Sequence, residues 1–362
     1  MKTLRILCIT FALLLMLSSI LTGCAQQQTN KEQPGNEQAN QEQPQQEEPK
    51  IAYPERQINV LVGFSPGGPT DVIARGIIPI LQEKLGVGIG ITNMPGAASA
   101  TAAENVLSQS KDGYTLFYGS EIMSIWQTMG TMDLSPTKDF IPIKLTNQAI
   151  PVLAVPPNSK FDNAEDFIKY AKENPGELTI GTAGPGTVPH ISGLILEKEL
   201  GCKFTFVPHQ GGGPAITAVM GGQVDATIEM VQGMVENYKA GKLKLLATFT
   251  NEPIEGLDVP ALGKIVPELS DYLPYGPYFG LFAAKGTSAE VIKVLEEKMN
   301  EAMADERWNE YCKKLYLVQI DYSGDEAVKF LNEWTSNSAW ILYDAGGAKN
   351  SPTDFGIERP KK

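Results

Sequence analysis

The sequence predicts an α/β protein of two lobes, each a mainly parallel sheet flanked by helices. Apolar runs of strand length alternate with segments of helical apolar spacing, and the resulting βαβαβ order occurs twice, at residues 58–118 and 178–228. Glycine-rich turns join strand to helix in both halves. With 362 residues, 42% of them hydrophobic, the chain is long enough to bury two medium-sized cores.

The first half contains the clearest strand, turn and helix in the chain. Residues 58–64 form an apolar strand, residues 65–71 (SPGGPTD) form a glycine-rich turn, and helical spacing continues to residue 85. A strand at 89–92, a helix at 98–109 and a strand at 114–118 are expected to follow. Because a helix N-terminus has unpaired N–H groups and the positive end of the peptide dipole, the glycine turn is a candidate anion site.

The second half repeats this order. We expect strands at 178–182, 204–207 and 224–228, helices at 188–200 and 216–220, and glycine turns at 183–187 and 209–215. In open parallel sheets, ligands bind beyond the carboxyl ends of the strands, where these turns lie. Two such edges facing each other would form a cleft suited to a small anionic ligand.

The remaining segments link the halves. We expect strands that cross between the halves at residues 148–157 and 243–250. The chain is then expected to return to the first half with a strand at 278–284 and helices at about 288–315 and 323–343. Lobe 1 is therefore expected to be discontinuous, with residues 53–146 plus about 272–362, and lobe 2 to span about 147–271. Trp308, Trp334 and Trp340 are expected to pack in the core.

The N-terminus resembles that of a bacterial lipoprotein. A basic start precedes an apolar run at residues 6–21, shorter than the ~20 residues that span a bilayer. Leu21-Thr22-Gly23-Cys24 resembles a lipobox. This predicts a signal peptide at 1–23, a lipid on Cys24 that holds the folded part outside the cytoplasm, and a disordered Gln/Glu/Pro tether at 24–52. An uncleaved signal anchor is the alternative.

Charge and cysteine content exclude other classes. Loss of residues 1–23 removes Lys2 and Arg5, so the formal net charge moves from -12 to -14, which argues against nucleic-acid binding. Cys202 and Cys312 are expected to be buried free thiols, although an oxidising compartment would permit a disulfide. Neither zinc-ligand spacing, a calcium loop nor a nucleotide fingerprint is present in the sequence, so no metal or cofactor is expected.

A hydrolase interpretation rests on Gly63-Phe64-Ser65-Pro66-Gly67, a G-x-S-x-G sequence between strand and helix. In that motif the residue after the serine donates a backbone N–H to the oxyanion, and Pro66 has no N–H. The mature chain offers only His190 and His209 as bases, both in the second half. A serine esterase is retained as an alternative, and a protein without catalytic activity is favoured.

Other polar residues have two interpretations each. His190 either donates to a ligand or caps local backbone, and a structural role is favoured for His209. Asp71 either caps the first helix or accepts a ligand hydrogen bond. Glu121 and Glu229 follow equivalent strands, either as solvated loop acids or as cleft residues that would favour a ligand with an amine or hydroxyl group.

Together these segments resemble one family in order and spacing. They are YPERQINVLVGFSPGGPTDVIARGI, NMPGAASATAAENV, KDGYTL, GTAGPGTVPHISG, FVPHQGGGPAITAVMGGQVDA and DVPALGK. They are similar to the solute receptors of tripartite tricarboxylate transporters, the Bug family. The resemblance implies a two-lobed periplasmic-binding-protein-like receptor, expected to be a monomer, that captures a small organic carboxylate and delivers it to a membrane permease. Ligand capture that feeds a membrane sensor is the alternative output.

The resemblance also implies ligand-binding positions. They are Phe64, Ser65, Gly67, Gly68, Thr70 and Asp71 on the first loop, Ser120 after the third strand, Thr182, Gly184, Thr187 and His190 on the opposing loop, and Gly212, Gly213 and Ala215 on a further loop. Family members commonly have a Tyr-Lys pair where this chain has His209-Gln210. They also often have an Arg after the second crossing, where this chain has none. The ligand therefore does not follow from the resemblance.

Overall fold

The structure is a computed structural model, which describes residues 51–360. Lobe 1 is built on a six-stranded sheet in the order β11-β4-β10-β3-β1-β2. Its strands, numbered along the chain, are β1 (Ile58–Val62), β2 (Ile89–Asn93), β3 (Thr115–Ser120), β4 (Phe140–Gln148), β10 (Tyr278–Ala284) and β11 (Val318–Tyr322).

Lobe 2 is built on a five-stranded sheet in the order β7-β6-β8-β5-β9. Its strands are β5 (Pro151–Val155), β6 (Thr179–Thr182), β7 (Thr205–Pro208), β8 (Ala226–Met230) and β9 (Lys244–Thr248). The two sheets and the helices that flank them confirm the α/β class and the two βαβαβ units.

The sheets are mixed, however, and not mainly parallel. In lobe 1, β1 is parallel to β2 and β3, whereas β10 pairs antiparallel with β3 and β4. In lobe 2, β6 is parallel to β7 and β8, and β5 pairs antiparallel with β8 and β9. The reason is topological, because a strand that enters from the other lobe joins its sheet without the crossover helix that parallel pairing requires.

The helices cover both faces of the sheets. They are α1 (Pro69–Leu85), α2 (Ala100–Ser108), α3 (Trp126–Met129), α4 (Ala164–Glu173), α5 (Val188–Leu200), α6 (Gly212–Met220), α7 (Val231–Lys239), α8 (Leu262–Ile265), α9 (Ala289–Met303), α10 (Glu306–Leu315) and α11 (Gly324–Asp344). The single helix expected at 288–315 is two helices, because the Asp305 side chain accepts a hydrogen bond from the Arg307 N–H and starts α10.

Two crossing segments join the lobes and are held to each other by main-chain hydrogen bonds. Ala149 N–H donates to the Pro277 carbonyl at 3.0 Å, and Phe249 N–H donates to the Pro151 carbonyl at 2.9 Å. Gly276 is buried in this contact and its carbonyl accepts from Trp334 Nε1. The chain changes sheets between β4 and β5 and again between β9 and β10.

The core residues follow expectation. Trp308, Trp334 and Trp340 are buried, as are Cys202 and Cys312, which are free thiols. Burial raises the pKa of the Cys202 thiol to about 11 and that of Cys312 to about 12.

Some expectations fall beyond the described residues, namely the signal peptide, Cys24 and most of the tether. Within residues 51–360, no helix is both long and apolar enough to cross a bilayer. The same residues contain no cluster of His, Cys, Asp or Glu that could hold a metal ion.

Candidate ligand-binding site

The β1–α1 turn is organised by Asp71, which is only 2% exposed. Its carboxylate accepts hydrogen bonds from Gly67 N–H at 2.8 Å, Arg75 Nε at 2.9 Å and Asn93 Nδ2 at 2.8 Å. Burial alone would raise the pKa of Asp71, but these donors outweigh it and lower the pKa. Asp71 therefore fixes the shape of the turn through the Gly67 N–H that precedes the helix, while the N-cap of α1, Gly68, has no side-chain cap hydrogen bond.

The free donors of this turn differ from those expected. Gly67 N–H is bound to Asp71, and Gly68 N–H donates to the Ser65 carbonyl at 3.2 Å. Pro69 has no N–H, so in the described part of the chain the unpaired N–H groups of α1 are those of Thr70 and Asp71. The two glycines shape the turn, and the next two donors remain for an anion.

The β6–α5 turn on lobe 2 is stabilised by its own side chains. Thr187 Oγ1 donates to the Gly184 carbonyl at 2.7 Å, and Gly186 N–H donates to His190 Nδ1 at 3.2 Å. Because Nδ1 accepts, the neutral imidazole carries its proton on Nε2. Burial lowers the pKa of His190, so the ring stays neutral at pH 7. His190 thus caps local backbone and keeps one N–H donor for a ligand.

The β7–α6 turn provides a further set of donors. Gly211 caps α6 with a φ of 104°, a conformation that favours glycine, and Pro214 has no N–H. No hydrogen bond within the described residues uses the N–H of Gly212 or Gly213. Ala215 is fully buried and Thr182 is 1% exposed, so these two predicted residues support the turns from the protein interior.

The carboxyl edge of the lobe 2 sheet faces lobe 1. A Cβ atom added at Gly186 would lie 2.9 Å from Met129 Cε, so the β6–α5 turn packs against α3 of lobe 1. Met230, at the end of β8, packs against the lobe 1 core. Because β1 and β3 are parallel neighbours, Ser120 ends β3 at the edge that carries the β1–α1 turn. The structure thus brings the predicted turns to the side where the two lobes meet.

Comparison with known proteins identifies the family. The model of the tripartite tricarboxylate transporter family receptor matches residues 73–346. The chain belongs to this receptor family. The match begins inside α1, so the residues of the β1–α1 turn lie outside it.

Relatives and solved structures agree with this assignment. Protein BugT of Bordetella pertussis is 29% identical over 254 residues, which cover 69% of the receptor and 77% of BugT. MatC of Rhodopseudomonas palustris with bound malate is 27% identical with a TM-score of 0.65, covering 80% of the receptor and all of MatC. R. palustris Rpa4515 with adipate has a TM-score of 0.68 at 24% identity, covering 81% and 98%, which supports the fold alone.

These findings confirm the two-lobed receptor fold and the extracytoplasmic solute-receptor class. The family is one of solute receptors, so the protein is not an enzyme and the esterase interpretation of Ser65 is excluded. The assignment of individual ligand contacts remains a prediction.

The two acidic candidates of the receptor differ in burial. Glu229 is 6% exposed, and burial raises its pKa to about 7 against a hydrogen bond from Met230 N–H. Burial also raises the pKa of the half-buried Glu121 to about 7, although the Ser120 side chain and Ile122 N–H donate to it. Both carboxyls therefore lose and gain a proton near neutral pH.

Glu229 is expected to make the receptor less stable as the pH rises. Its pKa is about 7 in the folded state against 4.5 ordinarily, so between these values the folded protein holds a proton that the unfolded chain has released. Stability is highest below that window and is lost as the pH rises through it, by on the order of 2 kcal/mol. Urea denaturation from pH 5 to 8 should show a flatter profile for Glu229→Gln, with the exposed Glu326→Gln as control. Parallel profiles for wild type and Glu229→Gln would contradict the burial of an ionisable carboxyl.

Sequence reasoning missed Arg75 and Asn93, which hold Asp71. Arg75 Nη2 donates to Asn93 Oδ1 at 2.9 Å, and Asn93 Nδ2 also donates to the Phe64 carbonyl at 2.9 Å. The spacing of Asp71 and Arg75, four residues apart on one helix, could have indicated the ion pair.

Two surface cavities lie away from the predicted residues. One of about 410 Å³ lies between α4 and α8, and one of about 1270 Å³ runs along α11 and the C-terminal segment. The larger is lined by charged side chains of both signs, for example Lys198, Asp271, Glu333 and Arg359. Neither cavity is lined by a residue predicted to bind ligand, so neither overlaps the site at the three glycine turns.

Proposed function

We propose that the receptor captures a small carboxylated metabolite, a di- or tricarboxylate or related organic acid, between its lobes and delivers it to a tripartite tricarboxylate-type permease. The observation that carries this proposal is the pair of unpaired N–H groups, Thr70 and Asp71, at the start of α1. They lie at the positive end of a 17-residue helix, in a turn that Asp71 already fixes. Preorganised donors of this kind bind an anion with little further ordering.

Closure of lobe 2 would complete the site. Its contribution comes from His190 Nε2 and from the N–H groups at the starts of α5 and α6, which have no partner in the described residues. MatC, a 27% identical neighbour that contains malate, supports a carboxylate as the ligand. Closure by rigid-body movement about the crossing segments would then present a ligand-dependent surface to the permease.

The lipid anchor belongs to the same proposal and rests on Leu21-Thr22-Gly23-Cys24. Mass spectrometry of the N-terminal peptide from the membrane fraction should find Cys24 as the first residue, carrying a diacylglycerol. An unmodified N-terminus there would contradict lipid anchoring.

A thermal-shift screen of di- and tricarboxylates, amino acids and aromatic acids tests the proposed ligand class. A ligand present at a free concentration one hundred times its Kd stabilises the folded state by about 2.7 kcal/mol. At least one carboxylate is expected to raise Tm. If none does, the proposed function is wrong.

Gly213→Leu is expected to weaken binding without unfolding the receptor. A Cβ atom at Gly213 meets no atom within 4 Å, and its backbone has an ordinary φ, so the leucine would project into the open space before α6. Because leucine also has the higher helix propensity, Tm should not fall, while the Kd from calorimetry should rise about tenfold or more.

Gly88→Leu is the matched control. Gly88 precedes β2 at the opposite end of the strand from the site, and a Cβ there lies 3.8 Å from Gln57 Cγ. It should leave the Kd unchanged. Unchanged affinity in Gly213→Leu would remove the β7–α6 turn from the site.

A further inference from the structure

A carboxyl group with one unpaired oxygen lies at the carboxyl edge of the lobe 2 sheet. Glu229 is 6% exposed, and its Oε1 atom accepts no hydrogen bond from any described residue. A buried acceptor left unpaired costs about 1–3 kcal/mol, and more when it is charged. The receptor therefore keeps an unsatisfied acceptor at the edge where ligand is proposed to bind.

Glu229 lies directly against the start of α6. A Cβ atom at Gly212 would be 2.6 Å from Glu229 Oε2 and 2.9 Å from its Cδ, so the carboxyl packs on the glycine backbone. The N–H groups of Gly212 and Gly213 are unpaired in the described structure. An acceptor and two donors are thus adjacent, at a separation that one small molecule can span.

A second unpaired acceptor lies at the same strand–helix junction. Gln232 Oε1, in the first turn of α7, is buried without a partner among the described residues. A carboxylate ligand has only acceptors to offer Glu229 and Gln232, whereas an ammonium group has three N–H donors.

The charges around Glu229 also favour an ammonium group. Among the described residues, no Lys or Arg side chain pairs with Glu229 or contributes to its pKa. Arg75, on the opposite wall, is bound to Asp71 and Asn93. Above pH 7, where Glu229 is ionised, a second ligand carboxylate beside it would bring like charges together in a poorly solvated site, whereas an ammonium group would be attracted.

We propose that Glu229 is the specificity-determining residue of the receptor and selects a ligand that carries an ammonium group beside its carboxylate. The carboxylate binds the N–H groups of Gly212 and Gly213, and the ammonium donates to Glu229. This inference rests on the proposed function, because it requires that a carboxylated ligand enters the cleft.

Calorimetry with matched pairs of probes tests the assignment. L-Aspartate is compared with succinate, and L-glutamate with glutarate, so that each pair differs by the amino group. Each amino acid is expected to bind at least about tenfold more tightly, because a site built around a buried acceptor rejects a ligand that lacks the donor. In Glu229→Gln the members of each pair should bind within about threefold of each other, because the attraction of the charge for the ammonium is lost.

Glu326→Gln, which removes an exposed carboxyl group on α11, is the control variant. It should keep the preference for amino acids. Glu229→Asp, which retains the charge, should keep part of it and provides a second variant if Glu229→Gln does not fold.

Three outcomes would overturn the inference. Equal or tighter binding of succinate and glutarate to the wild-type receptor would overturn the amine selectivity but leave the proposed function intact. An amino-acid preference that survives in Glu229→Gln would remove Glu229 from this role. The absence of binding by any carboxylate would overturn this inference and the proposed function together.

Discussion

Replacing Gly276 by alanine is expected to destabilise the receptor by roughly 3 kcal/mol or more, as overpacking against a fixed backbone does. A Cβ atom at this position would overlap the carbonyl oxygen of Ala149 in the other crossing segment. The clash cannot be relieved by a rotamer change, because the obstacle is main chain. The crossing segments would have to separate, and the bond from Ala149 N–H to the Pro277 carbonyl would lengthen.

Urea denaturation and calorimetry measure the two consequences. The free energy of unfolding should fall, and ligand affinity should fall with it, because the segments that set the relative position of the lobes have moved. Gly88→Ala, where a Cβ lies 3.8 Å from Gln57 Cγ, is the control and should behave as the wild type does. A Gly276→Ala variant within about 0.5 kcal/mol of the wild type, the range of ordinary surface changes, would show that this contact is not rigid.

Asp71→Ala is expected to destabilise the receptor by about 3 kcal/mol and to weaken ligand binding at least tenfold, as for a lost buried charge network. The change leaves Gly67 N–H and the Asn93 amide without their acceptor in a partly buried turn. The turn would then relax, and the N–H groups of residues 70 and 71 would no longer point to one place. Asp71 acts here as a positioning residue, through the shape of the turn.

Arg75→Ala distinguishes the contribution of the Asp71–Arg75 ion pair from that of the turn. The Arg75 side chain is about half exposed, so its loss should cost less than about 1 kcal/mol and leave binding nearly unchanged. Unchanged affinity in Asp71→Ala would mean that the β1–α1 turn does not hold the ligand.

The local sequence predicts the bounds of several helices and strands accurately. The helix at 188–200 was predicted with its observed ends, because Pro189 lies in its first turn and Gly201 closes it with a φ of 67°. The strand at 278–284 is equally well predicted, since it is apolar throughout and buried on both faces.

Elements that depend on tertiary contacts could not be predicted. Strand β4 contains Thr146, Asn147 and Gln148, three polar residues that are fully buried. Their polarity gives no sign of a sheet centre, which β4 becomes by pairing with β10 on one side and β11 on the other. The left-handed backbone of Ala97, Ala98 and Ser99 could not be predicted either, because none of the three is glycine.

The candidate site likewise has features that the sequence predicts and features that depend on tertiary contacts. The strand–turn–helix positions were predictable from glycine and periodicity, and all three turns lie at carboxyl strand ends. Which N–H groups remain free was not predictable, since it depends on Asp71 reaching Gly67 and on His190 reaching Gly186. The burial of Glu229 likewise arises only when Gly212 of α6 packs on it.

A crystal structure of the receptor with the tightest ligand of the thermal-shift screen tests the central claim most directly. The account predicts the ligand between the lobes, with a carboxylate oxygen about 3 Å from the N–H nitrogens of Thr70 or Asp71 and lobe 2 closed over it. Electron density for the ligand in the groove along α11, or in the cleft without contact to either N–H group, would contradict it.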